Sequence, residues 1–211
     1  MGNSEYRCAV FDFDGTIANS FDAGMHIIQE LSEEYGFRQI DLQDWDRIRA
    51  MSTYQFLRYL KIPRRRLPKI LRAGMEKLAT KIDEVPPIEG ILEAIEVIRT
   101  RVEYVGVLTS NSVENVRRFE EMQGKGRLFD FVSSVGNLMG KAKSLNAIRI
   151  TFSVTPEQTI YIGDEVRDIK AARKAKVPSI GVGWGFNSIP RLEKAGASYT
   201  VGKAEELLEI F

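Results

Sequence analysis

The chain has one cysteine, one histidine and no long apolar run in 211 residues. A lone cysteine excludes an internal disulfide. Cys8 lies inside an apolar, strand-prone run and reads as a buried, inert thiol rather than a nucleophile. His26 has no second histidine to share a metal with and reads as a surface or satisfied side chain. The longest charge-free run, Val177 to Pro190, is broken by glycines and prolines and falls short of the ~20 apolar residues that cross a bilayer. The N-terminus lacks a signal peptide's basic region and apolar stretch. Tyr6 stands where a myristoylation start needs Ser or Thr, so a cytoplasmic protein is expected. Charge of neither sign dominates. The 30 basic and 29 acidic residues give a formal net charge of +1, which offers no attraction for nucleic acid or a membrane surface. Internal repeats and low-complexity segments are absent as well.

What is present is ordinary globular composition, 44% hydrophobic and 28% charged, in a chain long enough to bury a sizeable core. It is organised around one stretch, where the strand pattern Cys8-Ala9-Val10 runs into Phe11-Asp12-Phe13-Asp14-Gly15-Thr16. Strand alternation puts Asp12 and Asp14 on one side and Phe11 and Phe13 on the other. Two like charges so close repel, which points to a cation or a chemical task. An acidic turn is the plain alternative.

A helical pattern follows, capped by Ser20, with Phe21, Met25, Ile28, Leu31 and Tyr35 on one face and a stop at Gly36. Three more helices are expected over Leu42 to Ala50, Thr53 to Leu60 (capped by Ser52) and Arg65 to Ile82, punctuated by Pro63 and Pro68. The run Arg64-Arg65-Arg66 reads as a solvated face. Val85-Pro86-Pro87 is a linker.

Beyond it, strands at Tyr104–Thr109, Phe129–Ser134, Thr159–Ile162, Ser179–Val182 and Tyr199–Val201 alternate with helices at Ile88–Arg101, Ser112–Met122, Ala142–Phe152, Val166–Lys176, Pro190–Ala195 and Ala204–Phe211. Alternation of this kind means a parallel sheet covered on both faces. The fold class is α/β, a Rossmann-like three-layer parallel-sheet core over residues 1–18 and 86–211, interrupted by an α-helical cap domain over residues 19–85.

Ligands of open parallel sheets bind at the carboxyl ends of the strands. Those ends carry Asp12 and Asp14, then Ser110 and Asn111, then Gly163-Asp164 with Asp168 four residues on, while Gly140-Lys141 precedes a helix. Carboxylates with a phosphate make a hard-oxygen environment suited to Mg²⁺. Lys141 adds a positive charge, the Ser110 hydroxyl suits a transferring oxygen, and a second Asp near the leaving oxygen can exchange protons with it. Singly, each residue has a plain reading: turn residues for Ser110 and Asn111, a solvated Lys141, a strand exit at Asp164, a helix N-terminal charge for Asp168. The glycine-rich run Gly181-Val182-Gly183-Trp184-Gly185 lacks dinucleotide-loop spacing and reads as a flexible loop at the same edge.

The ordered set Asp12-Phe13-Asp14-Gly15-Thr16, Leu108-Thr109-Ser110-Asn111, Gly140-Lys141 and Gly163-Asp164-Glu165-Val166-Arg167-Asp168 resembles the haloacid dehalogenase-like phosphohydrolase superfamily, in its phosphoglycolate phosphatase-like branch with a helical cap. The resemblance implies that Asp12 is the nucleophile and a metal ligand, and that Asp14 is the general acid and base with its backbone carbonyl on the metal. It implies that Ser110, Asn111 and Lys141 hold phosphate, and that Asp164 and Asp168 serve Mg²⁺. Asp14 argues against dehalogenation, because the dehalogenases lack it. That branch often sets the lysine in Lys-Pro-x-Pro, whereas Lys141 is followed here by Ala142-Lys143-Ser144.

The expected function is Mg²⁺-dependent hydrolysis of a small phosphorylated metabolite through an aspartyl-phosphate. Specificity is expected near Asn19 to Asp22 and the cap's helix junctions. The alternatives are a sugar phosphomutase, a phosphonoacetaldehyde hydrolase using one of Lys61, Lys69, Lys77 or Lys81, and a non-catalytic binding module. No oligomeric state is read from the sequence.

Overall fold

Six short strands, each rich in β-branched or aromatic residues, form one sheet in the order β3-β2-β1-β4-β5-β6. In this computed structural model residues 5–44, 47, 48, 51, 53–135 and 140–211 are described. The strands are β1 (Cys8–Phe11), β2 (Tyr104–Thr109), β3 (Phe131–Ser134), β4 (Thr159–Gly163), β5 (Ser179–Val182) and β6 (Tyr199–Val201). Every pairing is parallel. β1 lies at the centre, with Phe11 opposite Val107 on one side and Ile162 on the other. Strand order reverses direction across β1, so the clefts at its carboxyl end are the place where such a sheet takes a ligand.

Alternation along β1 sorts its side chains between two cores. Ala9 and Phe11 join a cluster with α4 (Ile91–Ile98), α5 (Val113–Met122) and a C-terminal 3-10 helix (Ala204–Glu209), through Ile91, Ile95, Phe119 and Leu207. Cys8 and Val10 face the other layer, with Leu145 and Ile148 of α6 (Lys141–Thr151) and Ala172 of α7 (Val166–Lys174). A short α8 (Ile189–Ala195) packs Leu192 on Ile169. The three layers and the buried Cys8 agree with the sequence reading.

Between β1 and α4 the chain makes α1 (Phe21–Tyr35), α2 (Thr53–Tyr59) and α3 (Leu67–Thr80), which enclose two small cores of their own. The two ends of this segment are neighbours: Asn19 N–H donates to Pro86 O at 2.8 Å, and Ile88 N–H to Ile17 O at 2.8 Å. Arg64, Arg65 and Arg66 are exposed, as expected, with Arg66 donating to the Tyr35 carbonyl at the end of α1.

Several expectations shift. Gly36 ends α1 in the left-handed region at φ 67°, as expected, but Ser20 makes no side-chain cap; its hydroxyl bonds Asp14 instead. The helix expected over Leu42 to Ala50 begins as a 3-10 turn, Leu42–Asp44, and residues 45, 46, 49 and 50 with the expected cap Ser52 lie outside the described residues. β3 starts at Phe131 rather than Phe129, because the Glu120 carboxylate takes the Leu128 and Phe129 amides at 2.6 and 2.8 Å and holds them off the ladder. α4 starts late, at Ile91, after Gly90 at φ 74°, and the last helix is 3-10. β1 ends at Phe11, so Asp12 and Asp14 lie just past the ladder.

Gly106 in β2 lies under the Phe131 ring, where a Cβ would come within 2.3 Å of it. Gly106→Ala is expected to cost roughly 1–3 kcal/mol in urea denaturation. Unchanged stability would mean that the ring swings clear and contributes no packing there.

Candidate active site

The strand ends deliver the acids. Asp12 follows β1, Asp164 follows β4, Asp168 sits in the first turn of α7, and Lys141 opens α6 after Gly140. Asp12, Asp164, Asp168 and Lys141 are all buried, at 2%, 1%, 0% and 2% exposure. Lys141 Nζ lies 2.6 Å from Asp12 Oδ2 and 2.7 Å from Asp168 Oδ1. One oxygen from each of Asp12, Asp164 and Asp168 falls within a 4.8 Å group.

The loop after β1 is built for this edge. The Phe13 carbonyl accepts the amides of Thr16, Ile17 and Ala18, and Gly15 turns the chain at φ 73°. A Cβ on Gly15 would sit 2.5 Å from Asp164 Oδ2, so glycine is also required for close approach. Phe13 N–H donates to Asp12 Oδ1 at 2.8 Å. Asp12 Oδ2 is thereby the oxygen facing Lys141.

Asp14 is treated differently from Asp12. Its carboxylate turns away from the three-acid group and accepts from Asn111 Nδ2 at 3.2 and 3.4 Å, and from Ser20. The Asn111 carbonyl oxygen takes Ser112 N–H and Asn115 Nδ2 at 2.8 Å each, so both ends of this amide are engaged within the protein. Ser110 stands half-buried one residue past β2 at the same edge. Ser112 caps α5, accepting from Asn115 N–H at 3.1 Å. Lys143 is exposed. Exposed His26 bonds the Asp22 carbonyl at 2.9 Å.

Burial drives the electrostatics. It pushes Asp12 up to about 7 despite the adjacent Lys141 charge, and it raises Asp14 against the bonds from Asn111 and Ser20. Asp164 rises well above the usual range through burial and the charges of Glu165, Asp168 and Asp12. For Asp168, burial is outweighed by Lys141 and Arg167 together, and its carboxyl is held low. For Lys141, burial is outweighed by Asp12 and Asp168, and its ammonium stays protonated. Arg167 pairs with Glu165 at 2.6 Å, so those two charges cancel. With all three carboxyls ionised, one ammonium leaves two negative charges uncompensated in a buried site, which is why burial raises Asp12 and Asp164. A divalent cation bound by hard oxygens fits that charge and that donor set.

Several residues of the site had no role assigned in the sequence reading. Tyr161, buried beneath Lys141 with its ring centroid 5.6 Å from Nζ, donates to Leu108 O at 3.2 Å. The loop after β5 meets Asp164 directly. Phe186 N–H donates to Asp164 Oδ2 at 2.7 Å, Asn187 N–H to Asp164 O at 3.1 Å, and Trp184 Nε1 to Thr16 O at 3.2 Å. Thr16 in turn donates its hydroxyl to Asp164 Oδ1 at 3.1 Å. A Cβ on Gly185 would lie 2.3 Å from Asp164 Cβ. The glycine run was the available signal, and its meaning is close backbone approach to Asp164.

Residues 9–182 match the haloacid dehalogenase-like hydrolase family. The chain belongs to that family, and within it is a hydrolase of the phosphatase type. It is 26% identical over 203 residues to the phosphoglycolate phosphatase of Synechococcus elongatus, covering 96% of each chain. It is 23% identical to pyrophosphatase PpaX of Listeria welshimeri, covering 95% of this chain and 94% of that one. The fold is shared with a haloacid dehalogenase-like hydrolase of Streptococcus pneumoniae, with a TM-score of 0.81 at 19% identity over 97% of this chain and 98% of that one. No helix among the described residues is long and apolar enough to cross a membrane.

Asp164 gives a test of this electrostatic picture. A carboxyl raised in the folded state binds more protons there than in the unfolded chain, so its contribution to stability falls as pH rises from about 4 upward. Asp164→Asn is therefore expected to raise the melting temperature of metal-free protein at pH 8, to change it little at pH 5, and to abolish stabilisation by Mg²⁺. A lower melting temperature at pH 8 would refute the raised carboxyl.

Proposed function

We propose that the protein is a Mg²⁺-dependent phosphatase of a small phosphorylated metabolite, working through a covalent intermediate on Asp12. The observation that carries the reading is the pair of carboxylates two residues apart with different surroundings. Burial raises both, but Asp12 faces the Lys141 ammonium, while Asp14 is oriented by the neutral Asn111 amide and Ser20 hydroxyl. Environments that separate two carboxyls in this way suit one to attack and the other to move protons.

In this reading Asp12 Oδ2 attacks phosphorus and the bond to the leaving oxygen breaks. Asp14, protonated, gives that oxygen its proton. Asp14, now a carboxylate, takes a proton from water, whose oxygen displaces Asp12 from phosphorus and restores the enzyme. Lys141 favours the ionised form of Asp12 and accompanies the phosphate charge, with Ser110 donating its hydroxyl to a phosphate oxygen. Asn111 serves through its hold on Asp14. The carboxylates of Asp12, Asp164 and Asp168 and the main-chain carbonyl of Asp14 would hold Mg²⁺, which when bound would neutralise the phosphate so that an anionic Asp can approach it.

Residues 19–85 act as a cap that excludes bulk water, and 1–18 with 86–211 act as the core. Lys77 and Lys81 both bond Glu30, Lys69 lies over the Tyr35 ring and Lys61 is exposed, which favours ester hydrolysis over a mechanism that needs a desolvated Schiff-base lysine. The Synechococcus relative's name makes 2-phosphoglycolate the first substrate to try, and the Listeria relative's name adds inorganic pyrophosphate. A cytoplasmic location goes with this reading.

The test is phosphate release from p-nitrophenyl phosphate, 2-phosphoglycolate and pyrophosphate, with Mg²⁺ or with chelator. Asp12→Asn is expected to abolish release and Asp14→Asn to slow it about 10²–10⁴-fold. Activity retained in Asp12→Asn would overturn the mechanism. Activity is also expected to fall as pH drops through about 7, where Asp12 takes up its proton. Added Mg²⁺ should shift that fall to lower pH, because cation and proton compete for one carboxylate. An acid limb unmoved by Mg²⁺ would separate Asp12 from the cation.

A further inference from the structure

The dipeptide Phe186-Asn187 is bonded to both parts of the molecule at once. Its two amides hold Asp164, one at the carboxylate oxygen Oδ2 and one at the main-chain oxygen. Its two side chains reach the helical segment. The Phe186 ring meets Phe21 of α1 edge-on at 6.0 Å and Phe56 of α2 at 5.6 Å, and packs against the core formed by Ile40, Ile48, Phe56, Tyr59 and Leu60. Asn187, only 1% exposed, donates Nδ2 to Met51 O at 3.1 Å and accepts Val166 N–H on Oδ1 at 2.9 Å. Val166 is the first residue of α7, the helix that carries Asp168.

We propose that Phe186 and Asn187 are positioning residues that link the seating of the α1–α2 helices to the cation affinity of the Asp164 site. The link rests on the reading of Asp12, Asp164 and Asp168 as a Mg²⁺ site. When the helices are seated, the Phe186 ring is fixed and its N–H stays on Asp164 Oδ2, holding that carboxylate in the group shared with Asp12 and Asp168. When the helices lift away, Phe186 and Asn187 lose their apolar and polar anchors and Asp164 loses its fixed orientation. Linkage is reciprocal, so Mg²⁺ must in turn favour the seated helices.

Trp184, two residues from Phe186 and bonded to Thr16, reports on the site. The chain has two tryptophans, and Trp45→Phe leaves Trp184 as the sole emitter. In that background, titration with Mg²⁺ alone is expected to show a Kd raised about five-fold or more by Phe186→Ala. Phe56→Ala, which removes the facing ring and touches no carboxylate, is expected to raise it in the same direction. In the wild-type protein, Mg²⁺ is expected to slow hydrogen exchange across α1 and α2, and Phe186→Ala to abolish that slowing. Unchanged Mg²⁺ affinity in both variants, with native circular dichroism, would overturn the link. So would wild-type protein that binds Mg²⁺ without any change in exchange at α1 and α2, a result that leaves the cation site standing. Wild-type protein with no response to Mg²⁺ would remove the cation site and the link together.

Discussion

Lys141 between Asp12 and Asp168 is the interaction on which the rest of the site depends. Carboxylates this deeply buried take up protons unless something positive lies beside them. One ammonium serves two of them, and its own burial is tolerated only because both are there. A buried ion pair contributes little net stability, but removing one partner strands the other. The arrangement therefore locks several distant parts of the chain together. α6 must begin at Lys141, α7 must bring Asp168 back toward β1, and β4 must lie beside β1 rather than at an edge of the sheet. The crossover order of the strands meets all three requirements.

The same edge shows how position along a chain differs from chemical character. Asp12 and Asp14 are separated by one residue, yet the turn around the Phe13 carbonyl sends them to unlike surroundings. One faces an ammonium. The other faces an amide and a hydroxyl, neutral groups that tolerate either protonation state.

Most of the fold was legible because the core strands are short, β-branched and bounded by polar turns. β2, β5 and β6 match their expected limits; in β2 and β5, burial of nearly every residue reinforces what the residues prefer locally. The misses have physical causes. Glu120, on α5, captures two amides that would otherwise have extended β3. Ser20 has the right chemistry for a cap, but the Asp14 carboxylate competes for its hydroxyl. In the site, Asp12, Lys141, Asp164 and Asp168 were readable as an ordered set and are found together. Tyr161, Phe186 and Asn187 were not, because they act through a main-chain amide or a single hydroxyl and carry no charge pattern. Such contacts leave almost no trace in residue type; the glycines that permit them leave a faint one.

The hydrogen bonds from Asn19 to Pro86 and from Ile88 to Ile17 have an evolutionary consequence. They close the excursion containing α1–α3 at a single ladder-width gap, so the sheet registers only that the two ends meet. For a flexible connection, doubling its length costs only about 0.6 kcal/mol in closure entropy. Helices there can be lengthened, traded or redesigned without shifting β1 against its neighbours. Among the described residues, the aromatic seat for Phe186, the Met51 carbonyl, the Ser20 hydroxyl on Asp14 and the Asp83–Arg118 pair constrain what is grafted in. A lineage built this way can change what it selects while inheriting its reaction intact.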